Sequence, residues 1–122
     1  MRSSLCARVK SSIFEVCKVP SISNVAKVTE ISAWKKKPAI LNSFQKLFDK
    51  IEEDEEDTYM TRIIKNVWPK EKNIPNLQIA WVISIAEIFL NPNNENIKIS
   101  EEIIKPVLYK NLVSKFYIMS DF

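Results

Sequence analysis

The chain has 122 residues, of which 46% are hydrophobic and 27% charged, and its formal net charge is +3. This length and balance predict a single helical domain over residues 1–122 whose core needs no disulfide or metal ion. Histidine and glycine are both absent, which excludes Ser-His or Cys-His nucleophile pairs and glycine-rich phosphate-binding loops. No metal, no cofactor and no enzymatic activity are expected.

Two cysteines, Cys6 and Cys17, are too few for a disulfide scaffold. On one continuous helix they lie about 16 Å apart, beyond disulfide reach. We therefore expect reduced thiols and an intracellular, reducing compartment, in the first place the cytoplasm. No apolar stretch reaches the length that a membrane span needs.

The first two predicted helices precede Pro38. The first has an apolar stripe at helical spacing, and a capping-box pattern at Ser12 and Glu15 suggests a break at Ser11–Ser12. The second covers residues 24–34 and directs Val25, Val28, Ile31 and Trp34 inward. The stripe of the first helix consists of Leu5, Val9, Ile13, Val16 and Cys17.

Pro38 suits the first turn of a third helix, which is predicted to run from Pro38 to Glu53. A fourth helix follows the acidic residues and must end near Pro69. Missing glycine makes tight hairpins unfavourable and removes the usual turn residues of strand-rich folds. The two stripes are Ile40, Phe44, Leu47, Phe48 and Ile51 in the third helix, and Tyr59, Met60, Ile63, Ile64, Val67 and Trp68 in the fourth.

Residues 77–90 are apolar almost all round, which is typical of a central helix; only Ala80, Ser84 and Glu87 share a narrow face that could meet water. The last helix begins at Ser100 or restarts at Pro106. Its predicted inner stripe is Leu108, Leu112, Val113, Phe116 and Met119, with Lys110, Asn111, Ser114 and Lys115 on the polar side together with Val107 and Ile118, a candidate dimer contact. The predicted class is all-α, a compact bundle of five or six helices around the helix at 77–90.

An acidic run is the first candidate contact surface. Seven carboxylates occur within nine residues, whereas calcium-binding loops require alternating ligands and a central glycine. The run therefore suits a solvated connection, a docking patch for a basic protein or adventitious binding of a divalent cation. Its acidic residues are Asp49, Glu52, Glu53, Asp54, Glu55, Glu56 and Asp57.

Basic residues dominate the first part of the chain, since residues 1–37 carry a net charge of +6 and residues 38–122 a net charge of −3. One cluster groups an indole with ammonium groups at an expected exposed junction, an arrangement that could grip phosphates and stack on a base. This alternative nucleic-acid site is Lys27, Trp34, Lys35, Lys36 and Lys37.

The N-terminal residues also match the composition of a mitochondrial presequence, because they contain Arg2, Arg8 and several serines and no acid before Glu15. An ordinary first helix explains the same residues. The main prediction is a non-catalytic protein-interaction or inhibitory module that binds a basic macromolecular partner through the acidic run. The alternatives are a nucleic-acid-binding domain and a mitochondrial assembly subunit with a targeting helix.

Overall fold

Six helices and one short pair of strands make up the described part of the chain. A computed structural model describes residues 2–23, 25–51, 54–94 and 99–116, with side chains at 4–23, 25–49, 58–94, 99–100 and 102–113. The predicted all-α class is confirmed. The helices are α1 (Arg2–Cys17), α2 (Val28–Lys35), α3 (Pro38–Gln45), α4 (Tyr59–Val67), α5 (Asn76–Leu90) and α6 (Glu101–Phe116), and the strands are β1 (Lys50–Ile51) and β2 (Asp54–Thr58).

The core is built around α5, as predicted for residues 77–90. This helix contacts α1, α3, α4 and α6, so apolar side chains are buried on nearly every side of it. Phe89 joins two neighbouring helices: its ring lies 5.7 Å from that of Phe14 and 5.1 Å from that of Trp34. The α5 helix therefore positions the others.

Glu87 is half-buried, but the rest of the narrow polar face of α5 does not meet water, which corrects the prediction for Ala80 and Ser84. Both side chains are completely buried. Asn111 of α6 donates from Nδ2 to the Ser84 hydroxyl at 2.9 Å and to Glu87 Oε1 at 2.8 Å. Polar groups from the two helices thus satisfy each other away from solvent.

The inner face of α6 is rotated relative to the predicted stripe. Ile104 and Asn111 are buried, and Val107 packs partly against the core instead of lying on a polar surface. Leu108, Leu112 and Val113 are only half-buried, the side chain of Phe116 is not described, and Ile118 and Met119 lie outside the described residues. The Ser100 hydroxyl accepts a hydrogen bond from the Ile103 amide, so the helix starts after Ser100 and continues through Pro106.

The α1 helix is continuous through Ser11–Ser12, so the predicted break is wrong. The Ser12 hydroxyl donates to the Ile63 carbonyl of α4 at 3.2 Å, and this inter-helix contact replaces a cap. Val9 and Ile13 are fully buried where α1 meets α4 and α5. Beyond Cys17 the chain turns through Lys18 in the left-handed region (φ 54°), a helix-ending conformation usually taken by glycine.

Two helix boundaries differ from prediction. The second helix is shorter, and Val25 and Val28 are 82% and 57% exposed, so only Ile31 and Trp34 of that stripe are buried. The third helix ends at Gln45 instead of Glu53. Extending it would place several carboxylates next to one another at the negative end of the helix dipole, which is unfavourable.

The other apolar residues predicted to face inward from the third helix differ in their burial. Leu47 is buried from a turn, Phe48 is 46% exposed, and the side chain of Ile51 is not described. The fourth helix ends at Val67, before Pro69 as predicted, and buries Met60 and Ile63.

Candidate functional site

The acidic segment, defined as residues 49–57, forms much of a two-stranded antiparallel ribbon. The strands pair Lys50 with Thr58 and Ile51 with Asp54, with an irregularity between these pairs. Such a ribbon was not expected in a chain without glycine. Asp49 is exposed; Glu52 and Glu53 lie outside the described residues, and the strand β2 contains Asp54, Glu55, Glu56 and Asp57, whose side chains are not described.

Hydrogen bonds anchor the base of this ribbon to α4. The Met60 amide donates to the Leu47 carbonyl at 2.8 Å, and the Thr58 hydroxyl accepts from the Thr61 amide at 3.0 Å, which caps the helix. The acidic segment is therefore joined, through the residues that flank it, to the α4 helix. It carries seven carboxylates and one ammonium, a net charge of −6 in a chain whose total is +3.

The lysine cluster is divided by burial. Lys27, Lys36 and Lys37 are exposed, but Lys35 is completely buried and Trp34 is only 4% exposed. The expectation that all these groups lie at an exposed junction is therefore wrong for two of the five.

Both buried members of the cluster have intramolecular partners. The Trp34 indole donates to the Pro20 carbonyl at 2.9 Å. The Lys35 ammonium donates to the Ile88 carbonyl at 2.9 Å and to the Asn94 carbonyl. Ile88 belongs to the last turn of α5, where the helix dipole favours a cation. Lys35 thus caps the central helix.

Burial opposes the charge on Lys35. Removal from water lowers its pKa from 10.5 to about 8. A lowered lysine pKa can mark a catalytic base, but this ammonium faces backbone carbonyls inside the core. Loss of hydration therefore accounts for the lowered pKa, whereas the bonds to the two carbonyls favour the charged form and act against the shift.

The two cysteines are free, as expected, and both lie on α1. Burial raises the pKa of the Cys6 thiol, an effect that nearby Lys10 partly offsets. Burial likewise raises the pKa of Cys17, and a hydrogen bond with Ser43 partly offsets it. Raised pKa values keep both groups as thiols, which are poor nucleophiles and poor metal ligands.

A cleft of about 470 Å³ opens between the start of α1, the end of α4 and the start of α5. We call it the tryptophan cleft. Its lining is predominantly apolar and includes Leu77, which is 51% exposed. The other apolar lining residues are Leu5, Trp68 and Trp81, and the polar ones are Ser4, Arg8 and Gln78.

Arg8 is the only charged side chain among the described residues that line this cleft. Its Nη2 donates to the carbonyl of Val67, the last residue of α4, which ties the guanidinium to this end of the helix. A guanidinium has five N–H donors, so this one bond leaves donors for a ligand.

Sequence reasoning missed the tryptophan cleft because the helical stripes assigned Leu5 and Trp68 to the core. One signal was available: the start of α5 carries large apolar residues on more faces than a surface helix normally buries. That signal does not show which neighbouring helix leaves a face uncovered.

No protein-family model matches the chain, and no curated protein or solved structure is significantly similar to it. The described part contains no helix long and apolar enough to cross a membrane. Nor do the residues with described positions include a group of three or more His, Cys, Asp or Glu side chains that could hold a metal ion.

Proposed function

We propose that this chain is a non-catalytic protein-interaction or inhibitory module that binds a basic protein partner through the acidic segment. The observation that carries this proposal is the concentration of charge, a net charge of −6 within nine residues. The residues Leu47 and Met60, which flank this segment, are joined by a backbone hydrogen bond. A field of one sign accelerates encounter with an oppositely charged surface and makes binding sensitive to salt.

The half-exposed Phe48 ring adds an apolar contact at the edge of this charged surface. Interfaces commonly combine an aromatic anchor with a polar rim. The basic partner is therefore expected to present an apolar side chain next to its lysines or arginines.

Several observations support a non-catalytic role. The chain has no histidine, and its two thiols have raised pKa values. The lowered pKa of Lys35 accompanies a capping role, and Glu87 accepts a hydrogen bond from Asn111. Each of these groups has a structural explanation, and among them no nucleophile is assembled with a base.

Binding to nucleic acid is the weaker alternative because the aromatic member of the lysine cluster is covered. Trp34 packs on Phe89, so it presents no free face on which a base could stack. Lys27, Lys36 and Lys37 could still contact phosphates.

The mitochondrial alternative is also less favoured. Val9 and Ile13 of α1 are fully buried against α4 and α5, so removing this helix would expose the core. A fusion of residues 1–20 to a reporter tests targeting directly: mitochondrial import would support the alternative, and a diffuse reporter would count against it.

The decisive experiment compares two variants with the same change in net charge. Glu55→Gln with Glu56→Gln removes charge from the acidic segment, whereas Glu71→Gln with Glu102→Gln removes it from exposed positions elsewhere. Each is used to capture partners from the native source at low and moderate salt, followed by mass spectrometry. Circular dichroism verifies that both variants are folded.

We expect a basic protein to be retained by the wild type and by the Glu71/Glu102 variant, and to be lost with the Glu55/Glu56 variant or at higher salt. Equal capture by both variants would remove the acidic segment from the proposal. Capture of nucleic acid that Lys36→Ala with Lys37→Ala abolishes would support the alternative instead.

A further inference from the structure

The tryptophan cleft has the features of a ligand site separate from the acidic segment. Its volume of about 470 Å³ lies within the range of small-molecule sites, about 300–1,000 Å³. Such sites combine apolar and aromatic walls with a few polar groups that orient the ligand. Here Leu5, Trp68, Leu77 and Trp81 supply the walls, and Arg8 supplies the charge.

The charge at the cleft selects the class of ligand. No carboxylate is found among the described residues that line it, so the Arg8 guanidinium sets the sign of the local potential. Arginine pairs well with a carboxylate because the planar fork matches its two oxygens. An apolar wall beside one cation fits a molecule with an apolar body and a single anionic head.

We propose that the tryptophan cleft binds an amphiphilic monocarboxylate of the fatty-acid type, with its chain against Trp68 and Trp81 and its carboxylate on Arg8. Leu77 also lines the cleft, and its half-exposed side chain would be covered by the bound chain. This proposal is independent of the acidic segment, which none of the lining residues belongs to.

The test is isothermal titration calorimetry of the full chain with decanoate and with decylamine, which differ only in the head group. We expect saturable binding of decanoate and affinity for decylamine that is at least about tenfold lower, since the head group meets a cation. Brominated decanoate should quench tryptophan emission saturably, and Trp81→Phe should reduce that quenching.

Two matched variants test the location. Leu77→Glu and Tyr109→Glu both replace a large exposed apolar side chain with a carboxylate, but only the first lies in the cleft. Glutamate in the first turn of α5 is compatible with the helix dipole, so Leu77→Glu is expected to fold. It should weaken decanoate binding by about tenfold or more through charge repulsion, while Tyr109→Glu leaves it unchanged.

Arg8→Met should remove the preference for decanoate over decylamine, and Arg62→Met, which replaces an exposed arginine of α4 outside the cleft, should retain it. The proposal is overturned if neither amphiphile binds saturably or if the wild type binds both equally well. Equal effects of Leu77→Glu and Tyr109→Glu would also overturn it.

Discussion

Replacing buried Lys35 with methionine should change how stability depends on pH. In the folded chain its pKa is about 8, compared with 10.5 for an ordinary lysine. Between these values the unfolded state holds the proton more tightly than the folded state, so unfolding becomes less favourable as pH rises. Below about pH 8 both states are protonated, and the pH dependence from this group disappears.

A pKa difference of about 2.5 corresponds to about 3 kcal/mol of unfolding free energy between neutral pH and pH 10.5. We therefore expect the unfolding free energy of the wild type to rise by about 3 kcal/mol relative to that of Lys35→Met across this pH interval. The difference between the two proteins is the relevant quantity, because Cys6 and Cys17 titrate in both. Their raised pKa values act in the opposite direction, since the unfolded thiols lose their protons first.

The assay is urea unfolding followed by far-ultraviolet circular dichroism at constant ionic strength. Lys36→Met supplies the matched control, because Lys36 is the exposed neighbour on the same segment. It should leave the pH dependence of the wild type intact. If the difference in unfolding free energy between the wild type and Lys35→Met stays constant with pH, the assignment of Lys35 as a buried, desolvated helix cap is refuted.

Three further substitutions test the packing. Asn111→Ala should lower the unfolding free energy by about 1–3 kcal/mol, because it leaves Ser84 and Glu87 of α5 without their hydrogen-bond donor. Lys110→Ala, at the exposed neighbouring position, should change the unfolding free energy by less than about 0.5 kcal/mol, and similar losses for the two variants would argue against the rotated face of α6. Thr58→Ala should lower the unfolding free energy by about 1 kcal/mol in thermal or urea unfolding, because it removes the N-cap of α4; an unchanged unfolding free energy would show that the Thr58 hydroxyl does not stabilise this helix. Ile31→Ala should lower the unfolding free energy by about 2–5 kcal/mol and Val28→Ala by less than about 0.5 kcal/mol, and a loss at Val28 as large as that at Ile31 in urea unfolding would contradict the exposed position of Val28.

Sequence patterns predicted the helices best where proline and apolar content agreed. Pro38 marks the start of α3, and Pro69 lies just after the end of α4. The apolar run at 77–90 corresponds closely to α5, because a helix without a polar face has no stable place outside a core. Local chemistry alone accounts for these features.

Prediction from sequence failed where polar side chains are buried and hydrogen-bond to other protein groups instead of to water. Ser84 and Asn111 look like surface residues in their own helices, yet each is buried because the other supplies its hydrogen bond. Lys35 belongs to a run of three lysines, and only the position of the α5 C-terminus explains why it is buried while its neighbours are exposed. Such pairings join residues 27 and 53 positions apart.

The two candidate sites also differ in how far the sequence predicts them. The charge of the acidic segment is evident from consecutive residues, although its ribbon conformation is not. The tryptophan cleft was not predicted, since Leu5 lies far in sequence from Trp68 and Leu77 and each of the three resembles a core residue.

By itself the sequence determined the helical class, the central helix and the charge of residues 49–57, since these depend on composition, short-range periodicity and proline. Only the tertiary structure decided that Lys35 caps α5, that Asn111 is buried and that an apolar cleft stays open beside Arg8. Burial depends on which helices meet and at what rotation, and long-range packing sets both.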